Sequence, residues 1–226
     1  MKKLVAIAIC AALFTTAKSQ KVYVQGGVNL SNITTTNSGA TESSKLLTSF
    51  NAGIMARSNA NEPIALEAGL LVEGKGAKAS GGSGNTFYNA TFNPLYLELP
   101  VNLVIRVPLE ASHSNIFINA GPYIAMGIAG KSKVTGQIAG ASFSNSEDIE
   151  FTSTDPNAND QAYSKLKRYD YGVNIGAGVD LGKILLKANY GMGLAKISSM
   201  QTDNGENAKN KYRVVSISLG IPLTGR

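Results

Sequence analysis

Between Arg168 and Leu181 the side chains change character at every residue. Tyr169, Tyr171, Val173, Ile175, Ala177, Val179 and Leu181 fall on one face, while Arg168, Asp170, Gly172, Asn174, Gly176, Gly178 and Asp180 fall on the other. A period of two belongs to an extended strand whose two faces meet different surroundings. After Gly182 and Lys183 the pattern resumes, with Ile184, Leu186, Ala188, Tyr190, Met192 and Leu194 on the apolar face. Glycine at the first central position of a two-residue loop specifies a type II′ turn. That turn sets Leu181 opposite Ile184, Val179 opposite Leu186 and Ile175 opposite Tyr190, so the two apolar faces coincide. The polar face then brings Asp180 diagonally close to Lys187. Each arm is longer than the five or six residues usual in a globular sheet. Each matches the roughly 9 to 11 residues a tilted strand needs to cross a bilayer.

The same reading yields six more strands: Lys21 to Leu30, Leu46 to Arg57, Ile64 to Glu73, Phe92 to Val107, Asn115 to Ile128 and Tyr212 to Leu223. With the hairpin from Arg168 to Ser198 they make eight, an even number, as bacterial membrane barrels have. The connections alternate in length. Ser58 to Pro63, Pro108 to Ser114, and Gly182 with Lys183 are short; Ser31 to Lys45, Gly74 to Thr91, Gly130 to Leu166 and Ser199 to Lys211 are long and polar. Brief periplasmic turns alternating with extended outer loops produce this rhythm. The expectation is therefore an all-β chain, an eight-stranded antiparallel up-and-down transmembrane β-barrel with both termini on the periplasmic side. The Gly130 to Leu166 segment is too long for an ordinary compact connection and is expected to be a mobile loop.

Residues 1–19 read as a secretory signal peptide, with Lys2 and Lys3 before an apolar run from Leu4 to Phe14 and the small residues Ala17 and Ser19 at the cut. The run is too short to cross about 30 Å of hydrocarbon. Cleavage after Ser19 leaves a single barrel domain over 20–226. The lone cysteine, Cys10, departs with the leader, so the mature chain has no thiol chemistry. The formal charge of +6 drops to about +3 once Lys2, Lys3 and Lys18 are removed. The remaining basic residues are scattered, which argues against a nucleic-acid partner.

Candidate chemistry is sparse. His113, between Ser112 and Ser114, is the sole histidine; it falls in a short turn and reads as solvated rather than catalytic. One histidine and no mature cysteine leave no metal site to expect. The run Ala125 to Ser132 resembles a phosphate-binding loop but lacks its first glycine and its following helix. Gly172, Gly176 and Gly178 stand on one strand face, where they make room for large neighbours rather than bind a dinucleotide. No cofactor is expected. More informative are the charges on the inward face: Arg57, Glu67, Glu73, Glu98, Arg106, Asp170, Asp180, Lys187 and Arg213. Enclosed charges persist only when paired or hydrated. A structural network filling the lumen is expected, built on Arg57, Glu67, Glu98, Arg106, Asp180 and Lys187, with Arg106 and Glu67 as a pair. Tyr23, Phe50, Tyr96, Phe117, Tyr123, Tyr169, Tyr190 and Tyr212 are candidates for an interfacial girdle, although Tyr23, Tyr96, Phe117 and Tyr123 fall on the lumen face.

The segments NPLYLELPVN (93–102), AGPYI (120–124), YDYGVNIGAGV (169–179) and YGMGL (190–194) resemble the PorT-type outer-membrane β-barrel family common in Bacteroidetes. The resemblance runs through most of the mature chain and implies an outer-membrane barrel. The family's namesake belongs to a protein-secretion apparatus. The chain departs from the general barrel pattern at its C-terminus, which ends in Arg226 rather than an aromatic residue. The functional expectation is a non-enzymatic outer-membrane protein in contact with lipid, meeting its surroundings or an envelope partner through long outer loops. The alternatives are a secretion component of the PorT type, or a soluble exported calycin-like binder with its apolar faces turned inward.

Overall fold

The computed structural model describes residues 20–37, 40–58, 62–109, 114–153, 165–197 and 209–223. The expected leader over 1–19 and His113 lie outside the described residues.

The strands are β1 (Lys21–Asn37), β2 (Ala40–Ser43), β3 (Leu47–Arg57), β4 (Ile64–Gly74), β5 (Ala77–Ser83), β6 (Thr86–Pro108), β7 (Asn115–Ile138), β8 (Ala141–Asp148), β9 (Glu150–Thr152), β10 (Lys165–Lys167), β11 (Tyr169–Asp180), β12 (Leu185–Gly193) and β13 (Lys209–Pro222). Eight of them overlap the strands expected from sequence, with β12 ending at Gly193, short of the expected Ser198. They pair antiparallel in the order β1, β3, β4, β6, β7, β11, β12, β13, and β13 pairs back onto β1. The pairings therefore run in a ring, in chain order apart from the short strands β2, β5, β8, β9 and β10.

Period two in the sequence becomes inside and outside in the ring. On β11 the outward Ile175 is 60% exposed, whereas its neighbour Asn174 is buried at 9%. On β13 Ile217 is 63% exposed between Ser216 and Ser218, both buried. The expected hairpin register holds, since Val179 faces Leu186 and Ile175 faces Tyr190. The turn closes through the Leu181 N–H donating to the Ile184 carbonyl at 2.9 Å. Gly182 carries φ of +81°, and the following Lys183 does not enter the positive-φ region, as a type II′ turn requires.

The long connections hold more β-structure than the sequence pattern implies. β1 runs on to Asn37 and folds back as β2, while β5 and the start of β6 form a hairpin within Gly74 to Thr91. Gly130 to Leu166, expected as a mobile loop, contains the last part of β7, all of β8 and both β9 and most of β10. The β7–β8 turn has positive φ at both central residues, Ala139 (+48°) and Gly140 (+90°), the requirement of type I′. These extensions escape a search for alternation because they lie beyond the apolar band, where water meets both faces and neither needs to be greasy.

β5, β6, β7 and β8 continue side by side past one end of the ring as a four-stranded sheet. Where β7 leaves the ring, Leu95 faces Ala129 while Tyr96 faces Gly127, so Ile128 is an extra residue. Such a bulge reverses which residues point outward from there on. At the same end β9 and β10 pair in parallel and insert Phe151 and Leu166 into a cluster with Ile33, Phe92, Tyr96, Tyr123, Ile149, Ile197 and Tyr212. Tyr96 meets Phe151 and Tyr212 edge to face, with centroids 5.6 Å apart in each case. The Phe151 ring lies against Gly127, where a β-carbon would come within 2.1 Å of it. Gly127→Val is therefore expected to expel Phe151 from this apolar cap and lower stability by about 1–3 kcal/mol. The check is urea unfolding of the detergent-solubilised protein, and an unchanged midpoint would contradict the close approach.

Candidate functional site: an enclosed charge network

The inward residues of β1, β3, β4, β11 and β12 meet in one ionic cluster near the end of the ring that holds Lys21 and the β11–β12 turn. Glu67 is its centre. It accepts from Arg57 at 2.6 and 3.0 Å, from Lys187 at 2.5 Å and from the Tyr23 hydroxyl at 2.8 Å. Arg57 and Glu67 are both at 0% exposure. Asp180 pairs with Lys21 at 2.6 Å and stands 3.8 Å from Arg57, linking a second carboxylate into the group. The Arg57 guanidinium also stacks 4.3 Å from the Phe117 centroid, within cation–π range. The space for that ring comes from Gly178, whose absent β-carbon would stand 2.4 Å from it.

A second cluster lies toward the capped end. Lys75 donates to Glu98 at 2.5 Å and to Asp170 at 3.2 Å, and its ammonium sits 4.1 Å from the Tyr123 ring centroid. The Tyr123 hydroxyl donates to Asp170 at 3.0 Å, and Asn174 donates to Glu98 at 3.2 Å. Uncharged groups knit a third patch of the interior. Asn51 donates to Asn29 at 2.7 Å and accepts from Gln25 at 3.3 Å and Ser218 at 2.9 Å. Between the two ionic clusters a cavity of about 20 Å³ is bordered by Glu73, Lys75, Glu98, Asn102, Asn174 and Lys187. That is room for about one water molecule.

Of the six residues expected to form the network, Arg57, Glu67, Asp180 and Lys187 come together in the first cluster, and Glu98 lies in the second. Arg106 does not join Glu67. The β4–β6 register puts Asn102 opposite Glu67, so Arg106 stands four residues along the strand, about 13 Å away. Its guanidinium donates instead to the Glu62 carbonyl at the rim. Asp180 and Lys187 are diagonal neighbours as expected, yet each binds elsewhere, Asp180 to Lys21 and Lys187 to Glu67. Glu73 and Asp170 are buried on the inward face. Arg213 is not there: it alternates with Tyr212 and Val214, which are buried, and donates to the Gly193 and Tyr212 carbonyls at 3.0 Å. Tyr212 is itself interior and no part of a girdle, as are Tyr23, Tyr96, Phe117 and Tyr123, whereas Tyr169, Tyr171 and Tyr190 are exposed on the outside.

Sequence reading missed Lys21 and Lys75. Both carry the alternation of their strands: Lys21 shares the parity of Tyr23 and Gln25, and Lys75 that of Glu67 and Glu73. Lys75 was hidden because it lies just past the residue where the pattern stops looking like a strand. The near-miss phosphate loop from Ala125 to Ser132 is a continuous stretch of β7. Among the described residues no group of three acidic, histidine or cysteine side chains is arranged to hold a metal ion.

A ring of antiparallel strands with apolar residues outside and ion pairs inside defines a membrane β-barrel type of protein. The family model of the outer membrane protein beta-barrel domain matches residues 18–199, and the chain belongs to that family of outer-membrane proteins. Among solved structures it is similar to Ail, the attachment invasion locus protein of Yersinia pestis, with TM-score 0.43 and 14% identity over 91% of this chain and 99% of that one. It is also similar to Neisserial surface protein A, with TM-score 0.38 and 9% identity over 90% of this chain and 99% of that one. A comparison with curated proteins gives no match.

Glu67→Ala leaves Arg57 and Lys187 enclosed without their shared carboxylate. A loss of about 3–5 kcal/mol is expected, with Glu67→Gln losing less because it keeps an acceptor. Urea unfolding in detergent micelles measures both, and a Glu67→Ala midpoint equal to wild type would refute the central place of this carboxylate.

Proposed function

We propose that the chain is a non-enzymatic outer-membrane protein, delivered by a signal peptide cleaved after Ser19 and inserted as a closed eight-stranded barrel. It acts through the β-structure that projects from its outer end. The observation that carries this reading is the inverted polarity of the ring. Ile124, Ile175 and Ile217 stand more than half exposed, while Arg57, Glu67 and Lys187 are sealed inside. In water that arrangement would leave a wide apolar surface uncovered; in lipid it is the stable one. The ring of pairings supports closure, since no lipid-exposed strand edge is tolerated.

The interior supports a closed rather than conducting barrel. Two ionic clusters, the Asn51 patch and the buried Met55, Leu71, Val104 and Leu185 occupy it, and Phe151, Leu166 and Ile149 cover the outer mouth. Spin labels at Val173 and Leu186 are expected to be accessible to oxygen dissolved in lipid, and labels at Asn174 and Lys187 to be shielded from it. The opposite pattern would end the membrane reading. The unboiled protein is expected to migrate as a compact band in SDS that shifts on heating, and planar bilayers containing it to show no stable conductance steps.

A second reading, a component of a protein-secretion apparatus of the PorT type, is favoured by the four motifs on β6, β7, β11 and β12. It is favoured also by β8, which among the described residues pairs only with β7, so that its other edge could take an incoming strand. Copurification from gently solubilised envelopes tests it: recovery of the barrel alone, after chemical cross-linking, would count against this role.

A further inference from the structure

The projecting sheet has a cationic side. Lys45 faces Lys78, Lys78 faces Thr91, Thr91 faces Lys133 and Lys133 faces Ser146, so five neighbouring segments contribute one lateral row. Directly opposed residues share a face. Ala77 and Phe92, next to Lys78 and Thr91, are buried inward, so the row points outward. The bulge at Ile128 is what brings Lys133 to this side. All three lysines are exposed, and among the described residues none forms an ion pair. The Lys45 ammonium donates to the Ser80 hydroxyl just above.

Lys45 and Lys78 stand directly across from one another, about 5 Å apart at the backbone, and Lys133 is two strands further, about 10 Å. Like charges opposed across a sheet destabilise it, and an anion lying along the row removes that penalty. Lys131, two residues below on the same face, differs in facing Asp148 on β8.

The height of the row identifies the anion. On β6 the outward residues from Val107 to Leu95 are apolar, spanning about 40 Å of strand or about 30 Å of height at the usual tilt. That is the thickness of the hydrocarbon core. Thr91 lies four residues beyond Leu95, about 10 Å higher, at the level where lipid head groups begin.

We propose that Lys45, Lys78 and Lys133, with the hydroxyls of Thr91 and Ser146, hold the phosphate groups of an outer-leaflet lipid against the side of the barrel. This rests on the membrane reading above and adds to it a ligand class and an address. Lysine ammonium groups bind phosphate as point charges, and spacings of about 5 and 10 Å suit a head group carrying two phosphates better than one.

The test uses the full-length mature protein in phosphatidylcholine nanodiscs containing a minor fraction of diphosphoryl lipid A, with retained lipid counted by native mass spectrometry. Wild type is expected to enrich the diphosphoryl lipid over phosphatidylcholine, less so as salt rises. The triple variant Lys45→Gln, Lys78→Gln, Lys133→Gln is expected to lose that enrichment by about tenfold or more. Lys183→Gln, at the opposite rim, is expected to keep it. Heat-modifiable migration of each variant reports folding independently. Equal enrichment by the triple variant overturns the proposal, as does complete displacement by inorganic phosphate, which would assign the row to a free anion. A wild-type chain that enters nanodiscs and shows no lipid preference overturns this site alone, whereas failure to insert overturns the membrane reading and this site with it.

Discussion

The space inside eight strands is too narrow for bulk water, so any charge turned inward has to be matched by another protein group. Glu67 shows how the chain meets that demand. One carboxylate, contributed by β4, is held by Arg57 from β3, Lys187 from β12 and Tyr23 from β1. Four strands from two sides of the ring are thereby tied through one point. Backbone pairing alone fixes each strand to its neighbours; this contact connects strands that are not neighbours. Most apolar residues are committed to the outside, so the ion pairs share the interior with a small apolar group that includes Met55, Leu71, Val104 and Leu185.

Glycine and aromatic side chains make the ionic core fit. Phe117 needs the space over Gly178, and Tyr123 lies against Gly172. The two rings then carry cations on their faces, Arg57 on Phe117 and Lys75 on Tyr123. The glycines that could pass for a nucleotide-binding signature thus serve packing: Gly172 and Gly178 each vacate a place for a ring that supports a cation, and Gly176 makes room for the Asn189 side chain. The division into two clusters follows from chain position, since Arg57, Asp180 and Lys21 stand at strand ends near the short turns, while Lys75, Glu98 and Asp170 stand nearer the projecting sheet.

The outer end uses different physics. Beyond the apolar band the strands no longer alternate between greasy and polar, and Ser, Thr and Asn appear on both faces. Even so, β5 to β8 stay paired, supported by a type I′ turn and a bulge. The result is a strand-paired, mostly polar surface on which Phe87, Tyr88, Ile138 and Phe143 are also exposed. An outward row of cations and an inward cap built on Phe151 and Leu166 are opposite faces of that one end, and both depend on the extra residue at Ile128.

The sequence by itself determined the eight long strands, the register of the β11–β12 hairpin, and which face of each strand is polar, because a period of two ties every side chain to a side. It placed Arg57, Glu67, Glu98, Asp180 and Lys187 on the enclosed face for the same reason. It did not determine which of them touch. Arg106 and Glu67 lie on adjacent strands with the correct charges, and the register separates them by four residues; Arg213, expected inward, shares the parity of Val215 and Ile217 and stands outside with them. Partner choice, the role of Lys75, the folding back of β9 and β10, and the lysine row all depend on residues brought together from distant parts of the chain. Alternation says which side a residue faces, and only the register of the strand pairings decides what stands across from it.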